Sequence, residues 1–285
     1  MARIGDLLAT RRTLSFEFFP PKSSNAQMNL GKAVGELQGL SPDFVSITYG
    51  AGGSDRHRTG DVVKWMRAET DLEPMAHLTC VGHTRTEVAG LLVDHRRNGV
   101  ENILALGGDL PAGAPPAKSD YRHALDLLHD VAVTGCFSIG VAAHPEVHPR
   151  SESRRSDRRH LAEKLSMADF AITQFFFDAE HYVRLVDEMA ELGVDKPIVP
   201  GIMPVTNLRQ IQRMAEMSGA EVPQWLIDRL EMCTTADQVR RVGIDAASTL
   251  CRDLVEAGAP GLHLYTLNSA ATAKEIAVNV DLVSV

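Results

Sequence analysis

The chain has 285 residues, of which 44% are hydrophobic and 23% charged, a composition typical of a globular protein with a sizeable core. Its formal net charge of −8 at pH 7 disfavours sequence-independent nucleic-acid binding, which depends on lysine and arginine to neutralise phosphates. No apolar run approaches the length of a membrane span and no signal-peptide pattern opens the chain, so we expect a cytoplasmic protein that contacts no membrane.

The cysteines lie far apart, at Cys80, Cys136, Cys233 and Cys251. They form no C-x-x-C pair and no zinc-ligand spacing with histidine. We interpret them as reduced thiols that pack as small hydrophobic side chains, as expected in a reducing compartment.

Short apolar, β-rich segments recur along the chain, and a stretch with helical spacing follows each of them. The segments are almost continuously hydrophobic rather than alternating, which is typical of parallel strands buried on both faces. There are eight, spanning 14–19, 43–49, 74–80, 102–108, 137–143, 170–177, 197–202 and 261–267.

The stretches between the segments carry helix signals. Residues 28–40 form an apolar stripe, and Thr84 with Glu87 has the spacing of a capping box at the start of another helix. Residues 235–257 make a longer helical pattern. Because two or three helical patterns and no strand fill 203–258, extra helices are predicted before the last strand.

Eight β-α repeats in a chain of this length predict a (βα)8 TIM barrel, a single catalytic domain over residues 1–285. The alternative is an open doubly wound sheet. No G-x-G-x-x-G follows the first strand, which weakens a dinucleotide-binding Rossmann reading. We interpret "GAGGS" at 50–54 as a strand-to-helix turn and the Pro/Gly/Ala-rich stretch at 111–119 as a mobile loop.

In a barrel, function is expected at the carboxyl ends of the strands. Every predicted strand delivers a polar group to that rim. Any one of these side chains could be structural, but their convergence predicts a shared pocket. In chain order they are Glu17, Thr48, Tyr49, His77, Thr79, Asp109, His144, Glu146, His148, Gln174, Asp178, Asn207, Tyr265 and Asn268.

Glu17 is the sharpest of these candidates, because it lies among phenylalanines in "LSFEFF". Burial disfavours the ionised carboxylate, so we expect a raised pKa and a proton available for transfer to a substrate. The alternative is a structural ion pair with a buried lysine or arginine. We expect no base inside the other strands to serve as that partner, which favours the catalytic interpretation.

A metal site is a weaker interpretation of the same rim. His144, Glu146 and His148 form an H-x-E-x-H run with Asp109 nearby. Pro145 and Pro149 break regular structure there, so the spacing is not that of a coherent helix or strand. We predict no metal and rank this site below one for an organic cofactor.

The motifs of the chain resemble those of the bacterial, catalytic-domain-only type of 5,10-methylenetetrahydrofolate reductase. They follow the family's order from residue 14 to about residue 268, and two of them, "FEFFPPK" and "AITQFFFD", are specific. The full set is "SFEFFPPK", "FVSITYGAGG", "AHLTC", "GGDLP", "PEVHP", "AITQFFFD", "PGIMPV" and "LYTLN".

The resemblance implies a TIM barrel with FAD at the strand carboxyl ends and a ping-pong reaction. NADH or NADPH would reduce the flavin, and methylenetetrahydrofolate would then take the hydride to give methyltetrahydrofolate. Glu17 would be the general acid that opens the folate ring to an iminium ion, and Asp109 the acid beside flavin and folate. The resemblance leaves open the nicotinamide preference and whether the chain forms a homo-oligomer.

The family's binding positions fall on named residues of this chain. On the substrate side they are Gln174, Gln210 and Tyr265. On the flavin side they are Thr48, Tyr49, Ala51, His77, Gly107, Gly108, Asp109, Tyr121, His144, His148, Asp157 and Lys164.

The chain also departs from the family pattern. Gly107 and Ser269 stand where the family has arginine, His144 where it often has tyrosine, and Glu163 where a base is expected. Losing basic groups weakens contacts to a pyrophosphate or a folate tail. Arg154, Arg155, Arg158 or Arg159 in the basic run at 150–159 could compensate; the alternative for that run is a solvated, partly disordered loop.

These departures keep other functions open. One is a related folate oxidoreductase with a weakly held or different hydride carrier. Another is a folate- or flavin-binding barrel without turnover, although the joint presence of Glu17, Asp109 and Gln174 argues against decay. A third is a metal hydrolase that uses His144, Glu146 and His148.

Overall fold

A computed structural model of the chain describes residues 2–49, 56–109 and 119–281. The predicted turn at 50–54, Ala51 within it, and residues 111–118 of the predicted loop lie outside the described residues. Across the described part, no helix is long and apolar enough to cross a membrane.

The strands form one sheet in which every pair of neighbours is parallel, and the order β7-β6-β5-β4-β3-β2-β1-β9-β8 brings the first and last predicted segments together. Seven of the eight predicted segments each contain one strand, and the remaining one contains two. The strands are β1 (Thr13–Phe18), β2 (Phe44–Ile47), β3 (Pro74–Thr79), β4 (Asn102–Leu106), β5 (Ser138–Ala143), β6 (Phe170–Thr173), β7 (Ile198–Val199), β8 (Gly201–Ile202) and β9 (Gly261–Tyr265).

The barrel closes through the segment that carries β7 and β8. β7 pairs with β6, whereas β8 pairs with β9, and Pro200 stands between the two short strands. Proline has no N–H to donate to a ladder, which explains the break. Its carbonyl still accepts from His263 N at 3.0 Å. The predicted TIM barrel is therefore confirmed, with its seventh strand interrupted, and the open doubly wound sheet is wrong.

Helices follow the strands around the outside, and the extra helices predicted before the last strand are confirmed as α8, α9 and α10. The helices are α1 (Ile4–Thr10), α2 (Ser24–Gln38), α3 (Arg56–Glu69), α4 (Arg85–Arg97), α5 (Ala124–Val133), α6 (Arg154–Leu165), α7 (Ala179–Glu191), α8 (Leu208–Ser218), α9 (Gln224–Glu231), α10 (Ala236–Glu256) and α11 (Ala270–Asn279).

Local signals in the sequence explain where several helices begin and which face they bury. The capping box of Thr84 and Glu87 is present at the start of α4. The stripe of α2 buries Leu30, Val34 and Leu37 against the strands. Burial of such a stripe, rather than helix propensity, supplies most of the stability of helices this short.

The barrel interior is filled at its amino-terminal end by an apolar cluster, which we call the lower layer. Helix α1, which the sequence pattern did not reveal, contributes two residues and closes that end of the barrel. The lower layer consists of Ile4, Leu8, Phe44, Met75, Leu104, Phe170, Ile172 and Val199. An α1 of seven residues is too short to show clear periodicity, so packing decides its formation.

All four cysteines are free thiols. Cys80 and Cys251 are buried, as predicted for small hydrophobic side chains, whereas Cys136 and Cys233 are partly exposed. Burial raises the pKa of the Cys80 thiol to about 11, so that thiol stays protonated at neutral pH.

Candidate active site

Glu17 lies near the carboxyl end of β1, on a face that points into the barrel. The strand register places it beside Ser46 of β2 and Tyr265 of β9. Side chains two residues apart share one face of a strand, so Ser15 and His263 line the same face one step below. The first strand therefore presents its carboxylate above the lower layer.

One oxygen of Glu17 gathers three side chains from other strands. Ser46 Oγ donates to Glu17 Oε2 at 3.2 Å, and His263 Nε2 lies 3.4 Å from the same oxygen. His77 Nε2 also lies 3.4 Å from Glu17 Oε2. All four side chains are buried. The described strands contain no lysine or arginine, as expected, but the two histidines supply basic groups beside Glu17 that the expectation did not include.

The pKa of Glu17 is lowered from its ordinary value, so the predicted rise is also wrong. Burial acts to raise this pKa, as the sequence suggested, and it is the largest single influence. The hydrogen bond with His263, the charges of His77 and His263 when protonated, and the Ser46 hydroxyl together outweigh burial. At neutral pH the group is a carboxylate surrounded by donors.

Two buried polar atoms at the carboxyl end of β3 have no hydrogen-bond partner. They are His77 Nε2, whose distance to Glu17 lacks hydrogen-bond geometry, and Thr79 Oγ1. Burial lowers the pKa of His77 to about 4, with Glu17 opposing, so its ring is neutral at pH 7. Unpartnered buried polar atoms are rare in folded proteins, so His77 Nε2 and Thr79 Oγ1 are candidates for contact with a ligand.

The loop after β4 adds a tight turn and an exposed acid. Gly108 has φ +78°, and a Cβ there would meet Thr79 Cβ at 2.8 Å, so only glycine fits. A Cβ on Gly107 would meet nothing within 4 Å. Asp109 is exposed, and its Oδ1 accepts from Arg150 Nη2 at 3.3 Å. Arg150 therefore supplies a cation on the side of the site where Gly107 supplies none.

The loop after β2 begins with Thr48 and Tyr49, which are half-buried. The Thr48 amide donates to Phe18 O at 2.9 Å, which ties this loop to the end of β1. The Tyr49 hydroxyl lies 2.9 Å from His83 Nε2. Both residues therefore border the same end of the barrel as Glu17.

The loop after β5 brings His144 and His148 together, with ring centroids 4.5 Å apart in an edge-on contact. Burial, together with the nearby charges of His148, Lys164 and Arg158, lowers the pKa of His144 to about 3. His144 is therefore neutral at pH 7. Lys164 Nζ donates to Ala142 O at 2.7 Å, and burial lowers its pKa to about 8.

Asp157 and Arg158 hold this loop in place. Asp157 Oδ1 accepts from His148 N and Ser151 Oγ, at 3.3 and 3.0 Å. The buried Arg158 guanidinium donates to the carbonyls of His144, Pro145 and Glu146, and it pairs with Asp157 and Glu188. Since these bonds occupy its donors inside the protein, Arg158 does not compensate for a missing base at the rim.

The basic run at 150–159 is mostly helical. Residues from Arg154 onward form the start of α6, capped by Ser153, so the interpretation as a partly disordered loop is wrong. Arg154 pairs with Glu188 at 3.7 Å. Arg155 and Arg159 are exposed.

Tyr121 lies in the loop before α5. Its hydroxyl donates to Asp130 Oδ2 at 2.9 Å, and the Arg85 guanidinium stacks over its ring at 5.1 Å. Burial and the Asp130 carboxylate raise the pKa of Tyr121. The hydroxyl is thus engaged within the protein.

The predicted substrate-side residues take different positions. Gln174 follows β6 and is half-buried, and Tyr265 extends from β9 to donate to Thr173 O at 2.8 Å. A Cβ on Gly201 would meet the Tyr265 hydroxyl at 2.8 Å, so glycine there gives the phenol room to cross β8. Gln210 is exposed on the first turn of α8.

A second group of residues fixes the end of β1, and of these Thr266 and Leu267 were not singled out from the sequence. Thr266 Oγ1 donates to Glu17 O at 2.6 Å. The side-chain amide of Asn268 bonds both backbone groups of Phe19, at 2.8 and 2.9 Å. Leu267 and Asn268 both have positive φ, which is uncommon for leucine and marks a constrained turn at the rim.

Ser46 and His263 are further site residues that the sequence analysis missed. A signal for His263 existed: it lies two residues before Tyr265, so a strand that turns Tyr265 inward turns His263 inward too. Ser46 is adjacent to Glu17 only through the register of β1 with β2.

Among the described residues, no three His, Cys, Asp or Glu side chains are grouped to hold a metal ion. Glu146 Oε1 accepts from Glu221 N at 3.2 Å, away from the two histidines of its run. His148 Nδ1 accepts from the Arg150 amide at 3.0 Å. The geometry thus gives no support to the metal-hydrolase alternative.

Comparisons with known proteins converge on one family. A family model described as methylenetetrahydrofolate reductase matches residues 3–281. The 5,10-methylenetetrahydrofolate reductase of Salmonella typhimurium is 40% identical over 259 residues, which cover 90% of this chain and 86% of the relative. Methylenetetrahydrofolate reductase (NADH) 1 of Arabidopsis thaliana is 35% identical over 94% of this chain and 48% of its own length.

Solved structures show the same fold at low sequence identity. An uncharacterized protein from Clostridium thermocellum, described as binding two copies of 5-methyl-5,6,7,8-tetrahydrofolic acid, superposes with a TM-score of 0.68 at 14% identity over 99% of both chains. An oxaloacetate acetylhydrolase superposes with a TM-score of 0.54 at 12% identity, over 96% of this chain and 82% of that one.

Proposed function

Because the chain belongs to the methylenetetrahydrofolate reductase family, oxidoreductases of folate one-carbon metabolism, we propose that it reduces 5,10-methylenetetrahydrofolate with electrons from NADH or NADPH that pass through FAD. The observation that carries this proposal is the buried carboxylate of Glu17, facing the rim beside polar side chains from β2, β3 and β9. Folate is the proposed small-molecule partner.

The rim has features that fit a flavin. His77 Nε2 and Thr79 Oγ1 are buried donors or acceptors without a partner, and the backbone at Gly107 is open to close approach. Lys164 and Arg150 place positive charge beside the loop after β5, suited to a pyrophosphate. FAD bound there would accept a hydride from the nicotinamide and pass it on to the folate.

The residues proposed to hold the flavin surround this end of the barrel. Asp157 and Tyr121 would act by supporting the loops, since their polar atoms are bonded within the protein. The proposed set is Thr48, Tyr49, His77, Gly107, Gly108, Asp109, Tyr121, His144, His148, Asp157 and Lys164, with Ala51 outside the described residues.

Glu17 is the proposed general acid. Opening the five-membered ring of the folate breaks a C–N bond, and the nitrogen that keeps the electron pair takes a proton. The exposed carboxylate of Asp109 would stabilise the cation that ring opening creates. Gln174 and Tyr265 are the proposed contacts to the folate, and Gln210 would contact it from α8.

The test is purified protein assayed with FAD, NADH or NADPH, and methylenetetrahydrofolate. We expect visible flavin absorbance and nicotinamide oxidation that depends on the folate. The proposal would be overturned if the protein bound no flavin and oxidised no nicotinamide even with added FAD. Folate reduction without any flavin would show that the hydride passes directly from the nicotinamide to the folate, and the FAD part of the proposal would be wrong.

The role of Glu17 is tested by Glu17→Gln with Glu73→Gln as a matched control, because Glu73 is a second buried glutamate at the other end of the barrel. We expect Glu17→Gln to keep reduction of the flavin by NADH and to slow the folate step by about 10²–10⁴-fold. Glu73→Gln should leave both steps unchanged. Equal loss of both steps in Glu17→Gln would contradict the acid role.

A further inference from the structure

His263 is completely buried beneath the site and has no role in the proposed function so far. Its ring stacks on Phe44, with centroids 6.0 Å apart and planes at 14°, and meets the edge of Tyr265 at 5.5 Å. Because water does not reach the ring, both nitrogens must find their partners within the protein.

The partners of His263 define where its protons are. Ser15 Oγ lies 3.2 Å from Leu262 O and 2.8 Å from His263 Nδ1. Because Leu262 O can only accept, both contacts are satisfied when Ser15 Oγ donates to Leu262 O and His263 Nδ1 donates to Ser15 Oγ. Ser46 Oγ donates to Glu17 Oε2, so its hydrogen is also engaged. His263 Nε2 lies 3.4 Å from both Ser46 Oγ and Glu17 Oε2, and each of these oxygens can accept a hydrogen from it.

In this arrangement both ring nitrogens are donors, which is the hydrogen-bond pattern of an imidazolium paired with the Glu17 carboxylate. A carboxylate has no proton to give, yet the proposed ring opening requires one from Glu17. The lowered pKa of Glu17 also favours its carboxylate form. A proton that resides on the neighbouring imidazolium removes this difficulty.

We propose that His263 is a positioning residue that stores a proton beside Glu17 and supplies it to that carboxylate when the folate is bound. This inference rests on the proposed function. The proton moves from His263 Nε2 to Glu17 Oε2, and the pair becomes neutral. Glu17 then protonates the folate nitrogen as the C–N bond breaks, which leaves a carboxylate and a neutral imidazole with its Nδ1 hydrogen.

The proton balance closes over one turnover. Reduction of a methylene bridge to a methyl group by NADH or NADPH takes up one proton from solution. His263 has no exposed surface, so its proton returns through Glu17, which reaches the rim. The pair regains its proton from solution before the next folate is reduced.

His77 does not fill this role, although it lies equally far from Glu17 Oε2. Its Nε2 lacks hydrogen-bond geometry to any partner, and burial lowers its pKa to about 4. The titratable groups coupled to the pair are His77 from β3 and Tyr265 from β9, and burial raises the pKa of Tyr265 well above its ordinary value. Both are therefore neutral between pH 6 and pH 8, so neither supplies charge changes in that range.

The experiment measures the two half-reactions separately between about pH 6 and pH 8 in the flavin-loaded enzyme, for wild type and His263→Gln. Glutamine keeps a donor near Glu17 but holds no transferable proton. We expect the folate step of His263→Gln to fall about tenfold for each pH unit, and to approach the wild-type rate at the acid end. The wild-type step should fall much less. Reduction of the flavin should be unchanged.

His77→Gln is the matched control, since it removes a histidine at the same distance from Glu17 on the other side. Its folate step should keep the shallow wild-type pH dependence, whatever its absolute rate. A uniform decrease in His263→Gln with an unchanged pH profile would mean a structural role and would overturn the inference.

Ser15→Ala provides a second variant if His263→Gln does not fold. It leaves the ring and removes the partner of Nδ1, so a steeper pH profile in the same direction is expected. An unchanged profile would also count against the inference. Failure of the proposed function looks different: the wild type would not reduce folate, or Glu17→Gln would reduce it normally.

Discussion

Two glutamates are buried at opposite ends of the barrel, and their environments differ. Glu17 lies at the carboxyl end of β1 and is 7% exposed, whereas Glu73 directly precedes β3 at the amino-terminal end and is 9% exposed. Glu73 accepts from Ala2 N at 3.1 Å and from Asn102 Nδ2 at 3.3 Å. Glu17 instead faces Ser46 and two histidines.

The two carboxyl groups are shifted in opposite directions. Burial raises the pKa of Glu73, and its hydrogen bond from Ala2 only partly opposes this. Burial acts on Glu17 in the same sense but is outweighed by His263 and His77. The raised pKa that we expected for Glu17 because of its burial is therefore found for Glu73, which has no proposed role in the chemistry. Two glutamates with similarly small exposed fractions can have pKa values shifted in opposite directions, because neighbouring charges and hydrogen bonds also act on each pKa.

The lower layer separates the two glutamates. On β3, Met75 stands between Glu73 and His77, which share one face of the strand. Around Glu73, Asn102 Oδ1 and Ser138 Oγ accept from the backbone of α1. On the other side His77 Nε2 and Thr79 Oγ1 have no partner, and at the amino-terminal end of β1 Thr13 Oγ1 has none either. The hydrogen bonds of Glu73, Asn102 and Ser138 hold α1 against the closed end, whereas the carboxyl end carries the groups of the proposed site.

The largest effect on stability is expected in the lower layer. Phe170 is fully buried there and packs so closely that a Cβ on Gly140 would lie 2.6 Å from its ring. Phe170→Ala should lower the free energy of unfolding by about 3–5 kcal/mol, measured by urea denaturation. Phe170→Leu should recover most of that loss.

Because the lower layer only separates the two ends, the folded Phe170→Ala enzyme should keep the wild-type pH profile of the folate step. A changed profile would show that the two glutamates are coupled through the layer.

An intermediate effect is expected at the closed end. Asn102 Oδ1 accepts from Ile4 N at 2.9 Å, and its Nδ2 donates to Ala2 O and to Glu73. Asn102→Ala should cost about 2 kcal/mol of unfolding free energy, since it leaves buried backbone groups of α1 unpaired. The folate step of the folded enzyme should be unaffected.

Ser46→Ala is the corresponding change at the other end. It removes one donor to Glu17, so it should cost less than about 1 kcal/mol while altering the folate step. A change in the folate step of Asn102→Ala, or an unchanged folate step in Ser46→Ala, would contradict this difference between the two ends of the barrel.

The smallest expected effect is on the urea midpoints of Glu17→Gln and Glu73→Gln, which should shift in opposite directions. A carboxyl whose folded pKa is lowered stabilises the fold above its unfolded pKa, and that stability is lost as pH falls through the folded pKa. For a raised pKa the contribution is present below the unfolded pKa and is lost as pH rises through the folded one. At pH 7, Glu17→Gln should therefore lower the urea midpoint and Glu73→Gln should raise it.

Both differences should shrink as the pH is lowered below the ordinary glutamate pKa of 4.5, where Glu73 is protonated and Glu17 loses its advantage. Midpoints measured across this range check the prediction. Shifts of the same sign at pH 7 would contradict the opposite pKa directions.

Much of the fold could be read from local pattern. The eight apolar segments, the capping box of Thr84 and Glu87, and the helices before β9 depend on spacing within a few residues, so the sequence predicted them correctly. The split of the seventh strand at Pro200 and the formation of α1 depend on neighbours in the sheet and on the lower layer. Those features could not be read from spacing alone.

The sequence by itself determined that a carboxylate would be buried among phenylalanines at the end of the first strand. Only the tertiary structure decided its charge, because the groups that set a pKa act within a few ångströms in space. His263 lies 246 residues away along the chain and reaches Glu17 only where β9 pairs with β1. The closing of the barrel, rather than any local motif, joins the acid to its proposed proton store.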